Sequence, residues 1–266
     1  MRFSSKLSLL FFLLSCAISL HAQVFSWREP GVRTCYKIDF VANHLYESNA
    51  KGLWQDLGVV NLVDVKALDL YANADAINPM KIKGHQGTYL VMECSGQVYY
   101  FDLATKTIKR EDLTFYRGAN CQAVQFARKD TIYSFGGYGF WQSTNIMTQF
   151  NLVSKEWTHI LAGGPIPKAI HKKRAVYLPD EDRFIVLGSH RINQTESADV
   201  TEFDYSIYDY QFSDKKFNKL GEVYEPLLRT LMSGESSNFL LAMGRYIVIS
   251  PNHNIPNYNH DLLYII

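Results

Sequence analysis

The sequence predicts an all-β fold built from repeated antiparallel strands, and three observations carry that expectation. Aromatic residues make up 14% of the chain, with 17 Tyr and 16 Phe, a bias toward side chains that pack on pleated surfaces. Apolar runs are short and end in polar turns. Finally, the order recurs: Phe101-Asp102-Leu103, Phe150-Asn151-Leu152 and Tyr208-Asp209-Tyr210 each end an apolar strand, at intervals of 49 and 58 positions.

From the N-terminus, Arg2 and Lys6 precede an apolar run from Leu7 to Leu20 that closes on Leu20-His21-Ala22. This charged, apolar, small-residue order is that of a secretory signal peptide cleaved after Ala22, and the run is short for a bilayer span. A competing reading has Leu13-Leu14-Ser15-Cys16 present Cys16 for a lipid anchor. Leu14 stands where such signals prefer a small residue, so this reading ranks second. No later stretch is long and apolar enough for a transmembrane helix, so no membrane span is expected. Residues 23–266 are expected to form one exported domain, periplasmic, cell-surface or secreted, with a sizeable core.

The formal charge of +1 gives no reason to invoke nucleic acid or an anionic membrane surface. Besides Cys16 there are Cys35, Cys94 and Cys121, and an odd number leaves at least one thiol unpaired. Cys94 and Cys121 fit adjacent strands, but buried free cysteines are the more ordinary reading. No CxxC or Cys/His spacing points to a metal, and no cofactor is expected.

Residues 34–47 read as two strands, whereas 51–79 show no clear register. The stretch from Thr131 to Leu161 is the most informative. Ile132 to Phe135 reads as a half-buried strand, and Gly136-Gly137 breaks it. A loop carries Phe140, Trp141, Gln142 and Asn145; Met147 to Leu152 is a second strand; Val153-Ser154-Lys155 turns; Trp157 opens a third. This order resembles the kelch motif. The likeness covers 88–266, with copies at 88–112, 117–160, 174–220 and 229–266. It implies a kelch-like β-propeller of about four to five four-stranded blades, closed or an open arc. Only one copy carries the double glycine; Glu93-Cys94, Gly188-Ser189 and Ser250-Pro251 replace it elsewhere, and Ile108 and Phe217 replace Trp157. Residues 34–47 would close the ring beside Leu262 to Ile266, or the chain is part of a longer protein. The second is expected, because the sequence stops mid-strand. Trp157 is expected to pack under Phe135 or Phe150.

Arg117, Arg174 and Arg229 recur at intervals of 57 and 55, each ahead of the innermost strand of a copy. Their expected role is structural, bonding carbonyl groups of a neighbouring blade; the alternative is a guanidinium ring suited to carboxylates or sugar hydroxyls. In this register the loops 139–145, 190–199, 252–260, 115–120, 163–173 and 224–229 share one face. They bring Tyr116, Trp141, His190, Arg191, Asn193, Tyr224, His253 and His260, the rings, amides and cations of recognition surfaces. His171-Lys172-Lys173-Arg174 reads as a solvated loop, and Asp180, Glu181 and Asp182 as solvated turn acids.

No Gly-x-Ser-x-Gly elbow, His-Glu-x-x-His or phosphate-cradling glycine loop is present. The expected function is an exported binding module, sensory in type, for a glycan, small-molecule or protein partner. The resemblance implies as alternative a periplasmic sugar-modifying enzyme of the mutarotase type.

Overall fold

The computed structural model describes residues 24–28, 34–48, 51–65, 77–113, 121–139, 142–168, 174–195, 198–224, 239–243, 246–250 and 262–265. For 142, 189–203 and the segments from 239 onward, Ile247 excepted, only the backbone is described. The signal-peptide and Cys16 readings lie outside these residues. Every regular element among them is a β-strand. Contacts divide the chain into two compact units, one holding residues up to Lys81 with His85–Met92 and Val98–Glu111, the other Ile82–Gly84, Glu93–Gln97 and Asp112 onward.

In the first unit, β1 (Val24–Arg28), β2 (Cys35–Asp39), β3 (His44–Ser48) and β4 (Trp54–Val59) pair consecutively into a four-stranded antiparallel sheet. Alternation decides the inner face: Phe25, Trp27, Tyr36, Ile38 and Leu45 are buried, while Val24, Ser26 and Arg28 between them are exposed. β6 (Ile77–Met80), β7 (Thr88–Met92), β8 (Val98–Asp102) and β9 (Thr107–Arg110) form a second such sheet, and β5 (Asn61–Val63) adds to β9 in parallel. All five residues of β7 are buried, the pattern of a strand covered on both faces. The two sheets share a core in which Trp27 stacks on Phe25 at 5.1 Å and meets Phe101 edge-on at 5.6 Å. Lys106 donates to the carbonyl of Leu57, tying the start of β9 to β4.

Residues 34–47 therefore supply the two middle strands of their own sheet. Leu262–Ile265 pairs with Tyr246–Ile249. The stretch without legible register, 51–79, holds β4, β5 and β6. Its strands hide because β4 is largely exposed and contains a bulge opposite Leu45/Tyr46, while Pro79 interrupts β6.

In the second unit, β10 (Val124–Arg128), β11 (Thr131–Phe135), β14 (Met147–Asn151) and β15 (Glu156–Ile160) form a third four-stranded sheet. Between β11 and β14 the chain makes a short hairpin, β12 (Tyr138–Gly139) and β13 (Gln142–Ser143). A fourth sheet contains β16 (Ala175–Leu178), β17 (Arg183–Thr195), β18 (Ala198–Gln211) and β19 (Lys216–Glu222), and β13 joins it by pairing with β17. β20 (Phe239–Met243), β21 (Tyr246–Ser250) and β22 (Leu262–Ile265) form a three-stranded sheet. The third and fourth sheets bury a stack of rings: Phe184 lies 4.8 Å from Phe126 and 5.5 Å from Phe135, and Tyr210 lies 4.8 Å from Phe217.

One turn recurs in four sheets: Phe40 to Asn43, Leu103 to Lys106, Leu152 to Lys155 and Phe212 to Lys215. Its last residue is left-handed each time, with φ of 54° at Asn43, 54° at Lys106, 58° at Lys155 and 52° at Lys215. The residue before it fixes three of the four turns: Asp39, Asp102 and Asn151 each accept two backbone N–H bonds through one side-chain oxygen. Gln211 stands there in the fourth. The register expected from Tyr208-Asp209-Tyr210 is therefore two residues early: Tyr210 opposes Phe217, as Phe150 opposes Trp157 and Phe101 opposes Ile108.

Trp157 packs on Phe150 at 5.5 Å, as expected, but it is only half-buried, and its Nε1–H donates to the Gly96 carbonyl at 2.7 Å. Replacing it by Phe keeps most of the packing and removes that bond. The expected loss is about 1–2 kcal/mol in urea unfolding; a loss below about 0.3 kcal/mol would show the bond contributes nothing.

Candidate functional site

The strands of the second unit have two ends with different construction. At one end β11 leaves through Gly136 (φ 75°) and Gly137 (φ 103°), a conformation only glycine adopts freely. The matching strand, β17, has a single left-handed glycine, Gly188 (φ 71°), at a register shift between Leu187 and Ser189. It bulges there and continues. Within what reads from the sequence as a loop over 190–199, residues 190–195 and 198–199 are thus strand: Ser189 to Thr195 pairs with Asp204 back to Ala198. β12–β13 docks on this hairpin by the pairing of Gln142 with Asn193.

The base of this end is tied down. Cys121 and Tyr138 exchange backbone hydrogen bonds of 3.1 and 2.8 Å, and Cys121 forms a disulfide with Cys94 in the turn between β7 and β8. This corrects the expectation of buried free cysteines; only Cys35 is a free thiol among the described residues. Asn145 Nδ2 donates to the Pro167 carbonyl at 3.1 Å.

At the other end lie the turns β10–β11, β16–β17 and β18–β19, and with them a cleft of about 710 Å³. Arg128, the last residue of β10, donates through Nε and Nη2 to the two carboxylate oxygens of Asp182 at 2.6 and 2.7 Å. Tyr177 donates its hydroxyl to the same carboxylate at 2.9 Å, and the Arg128 guanidinium lies 4.1 Å from the Phe212 ring centroid. Arg183 bridges Glu181 at 3.0 Å and Asp209 at 3.2 Å.

The bond from Arg128 holds the Asp182 carboxyl below its ordinary value, and the same bond raises the guanidinium. Burial, aided by Asp182, pushes the Tyr177 hydroxyl up to about 12; burial does the same to Tyr210. For Arg183, burial opposes the charge but Glu181 and Asp209 outweigh it, so its value rises. A depressed carboxyl contributes stability above its unfolded value, and the contribution fades as pH falls through the folded one. Asp182→Asn is expected to cost about 1 kcal/mol at pH 7. The difference from the parent should fade as the pH falls below the ordinary carboxylate range and through the lowered value of Asp182. A difference that persists there in acid urea titrations would contradict the pairing.

Asp182 and Glu181 are thus paired acids, not merely solvated ones. The sequence could not show this, because Arg128 is 54 positions away. Arg174 directly precedes β16 and is buried, its value lowered to about 10 by that burial. It is an interior residue, not one presented to solvent. β10 begins at Val124 and β20 at Phe239, and the residues just ahead of them, 114–120 and 225–238, are not among the described ones. Arg117, Arg229, Tyr116, Trp141, His253 and His260 lie outside the described residues, as do the side chains of His190, Arg191 and Asn193; Tyr224 is exposed. Among the described residues no group of three His, Cys, Asp or Glu is arranged to hold a metal, and no helix is long and apolar enough to cross a membrane.

No protein-family model and no curated protein sequence matches the chain. Among solved structures, that of YjhT is similar in fold, with a TM-score of 0.53 at 10% sequence identity over 90% of this chain and 80% of that one.

Proposed function

We propose that this chain is an exported binding module whose sheets are the blades of a kelch-like β-propeller, and that it recognises its ligand at the end of the second unit that carries the β17–β18 hairpin. The repeated turn and the four four-stranded antiparallel sheets support the propeller reading. The disulfide supports export, since such bonds persist in oxidising compartments, and it agrees with the signal-peptide reading of residues 1–22.

The observation that carries the site is the hairpin itself. β17 and β18 run for 13 and 14 residues, whereas no other strand among the described residues exceeds seven. Their paired extension beyond Gly188 is about 20 Å long, and β12–β13 is fastened to its side. A surface fixed in advance loses less conformational freedom when it binds. In the sequence, Trp141 falls between β12 and β13, and His190 and Arg191 fall on the extension; these are residue types that glycan, small-molecule and peptide sites use.

The test replaces 190–203 by Asn-Gly, a two-residue turn that suits the flanking Ser189–Asp204 pair. In a thermal-shift screen of glycans, metabolites and peptides, a ligand should raise the melting temperature of the full chain and not of the shortened one. Equal stabilisation of both, or none of the full chain, would refute the assignment.

A further inference from the structure

We infer that the cleft at the opposite strand ends of the second unit is a separate recognition site, built for an uncharged, hydroxyl-rich ligand such as a neutral oligosaccharide. Six charged residues line it: Arg128, Lys129 and Arg183 against Glu181, Asp182 and Asp209. Their formal charges cancel. An anion or a polycation entering the cleft gains no net attraction there and disrupts pairs already made. A neutral ligand meets no such conflict.

The pairs also fix where donors and acceptors stand. Arg128 is held by both oxygens of Asp182, and Arg183 is held between Glu181 and Asp209. A carboxylate accepts about four hydrogen bonds; Arg128 and Tyr177 supply three to Asp182, leaving capacity on a side chain that is 42% exposed. Glu181 and Arg183 are 31% and 29% exposed, so acceptor and donor atoms stand beside each other at the cleft wall. Adjacent hydroxyl groups, each both donor and acceptor, match such a wall. Half-buried Phe212, with the Arg128 guanidinium over its ring, provides the apolar part of the lining, and Tyr210 is buried beneath it. The volume of about 710 Å³ lies within the range of small-molecule sites.

The test uses the full chain with maltotriose, cellotriose and tri-N-acetylchitotriose as neutral probes, and citrate and spermidine as charged ones. Binding is read by isothermal titration and ligand-observed NMR. At least one neutral probe should bind, with citrate and spermidine at least tenfold weaker. Ser213→Trp, which fills the cleft from an exposed turn position, should weaken that probe at least tenfold without changing the melting temperature. Glu181→Gln should weaken it less. The variant with the shortened β17–β18 hairpin should retain it, which separates this site from the one at the other strand ends. No neutral binding, tighter citrate or spermidine binding, or an undiminished affinity in Ser213→Trp would each overturn the inference.

Discussion

Replacing Cys94 and Cys121 together by Ser is expected to lower the stability of the second unit by about 3–4 kcal/mol. The disulfide closes a loop with a sequence separation of 27, and the chain entropy it removes from the unfolded state sets that size. In thermal unfolding the same change corresponds to about 6–16 °C. The loss has a local consequence as well, because Cys121 is bridged to Tyr138 at the root of β12–β13. Parallel urea titrations of the double variant and of the parent, with and without reductant, measure it. A double variant within about 1 kcal/mol of the oxidised parent would contradict the role assigned to the bond.

Phe184→Ala should cost about 3–5 kcal/mol. Its side chain is fully buried, stacked 4.8 Å from Phe126 and edge-on 5.5 Å from Phe135, so it joins the third and fourth sheets. Truncation leaves a cavity walled by rings that cannot relax into it. Phe184→Leu retains much of the volume and should recover at least half of the loss. If Ala and Leu are equally mild, below about 1 kcal/mol, the two sheets do not pack through this residue.

Much of the strand content was legible because a turn leaves a chemical signature. Asp102 and Asn151 end strands and close the following turn with their own oxygens, so the copies around them stood out. The fourth sheet has Gln211 there, whose longer side chain does not reproduce that local bond, and the conspicuous Asp209 drew the register two residues off. Asp209 instead receives a bond from Arg183. The sheet formed by β1 to β4 was half visible: Tyr36 and Ile38 alternate cleanly, whereas β4 is exposed and bulged and offers no period.

The candidate sites were less legible. Gly188-Ser189 reads as a weaker form of Gly136-Gly137, but one glycine bends a strand where two end it, and so 190–195 and 198–199 read as loop and fold as paired strands. The cleft depends on Arg128 meeting Asp182 and on Arg183 meeting Asp209, contacts that only the folded chain makes. Arg174 is buried, which agrees with the structural role expected for it and not with the alternative of a ligand-facing guanidinium ring.

Hydrogen–deuterium exchange on the oxidised, ligand-free chain tests most directly whether the β17–β18 end is fixed in advance. Cross-strand bonds along Ser189 to Thr195 and Ala198 to Asp204, with Gln142 beside Asn193, should give those segments slow exchange, close to that of Phe184 to Leu187 in the same strand. Reduction of the Cys94–Cys121 bond should speed exchange at Tyr138 first. Exchange of 189–204 at the rate of an unstructured peptide, whether the bond is oxidised or reduced, would contradict the account.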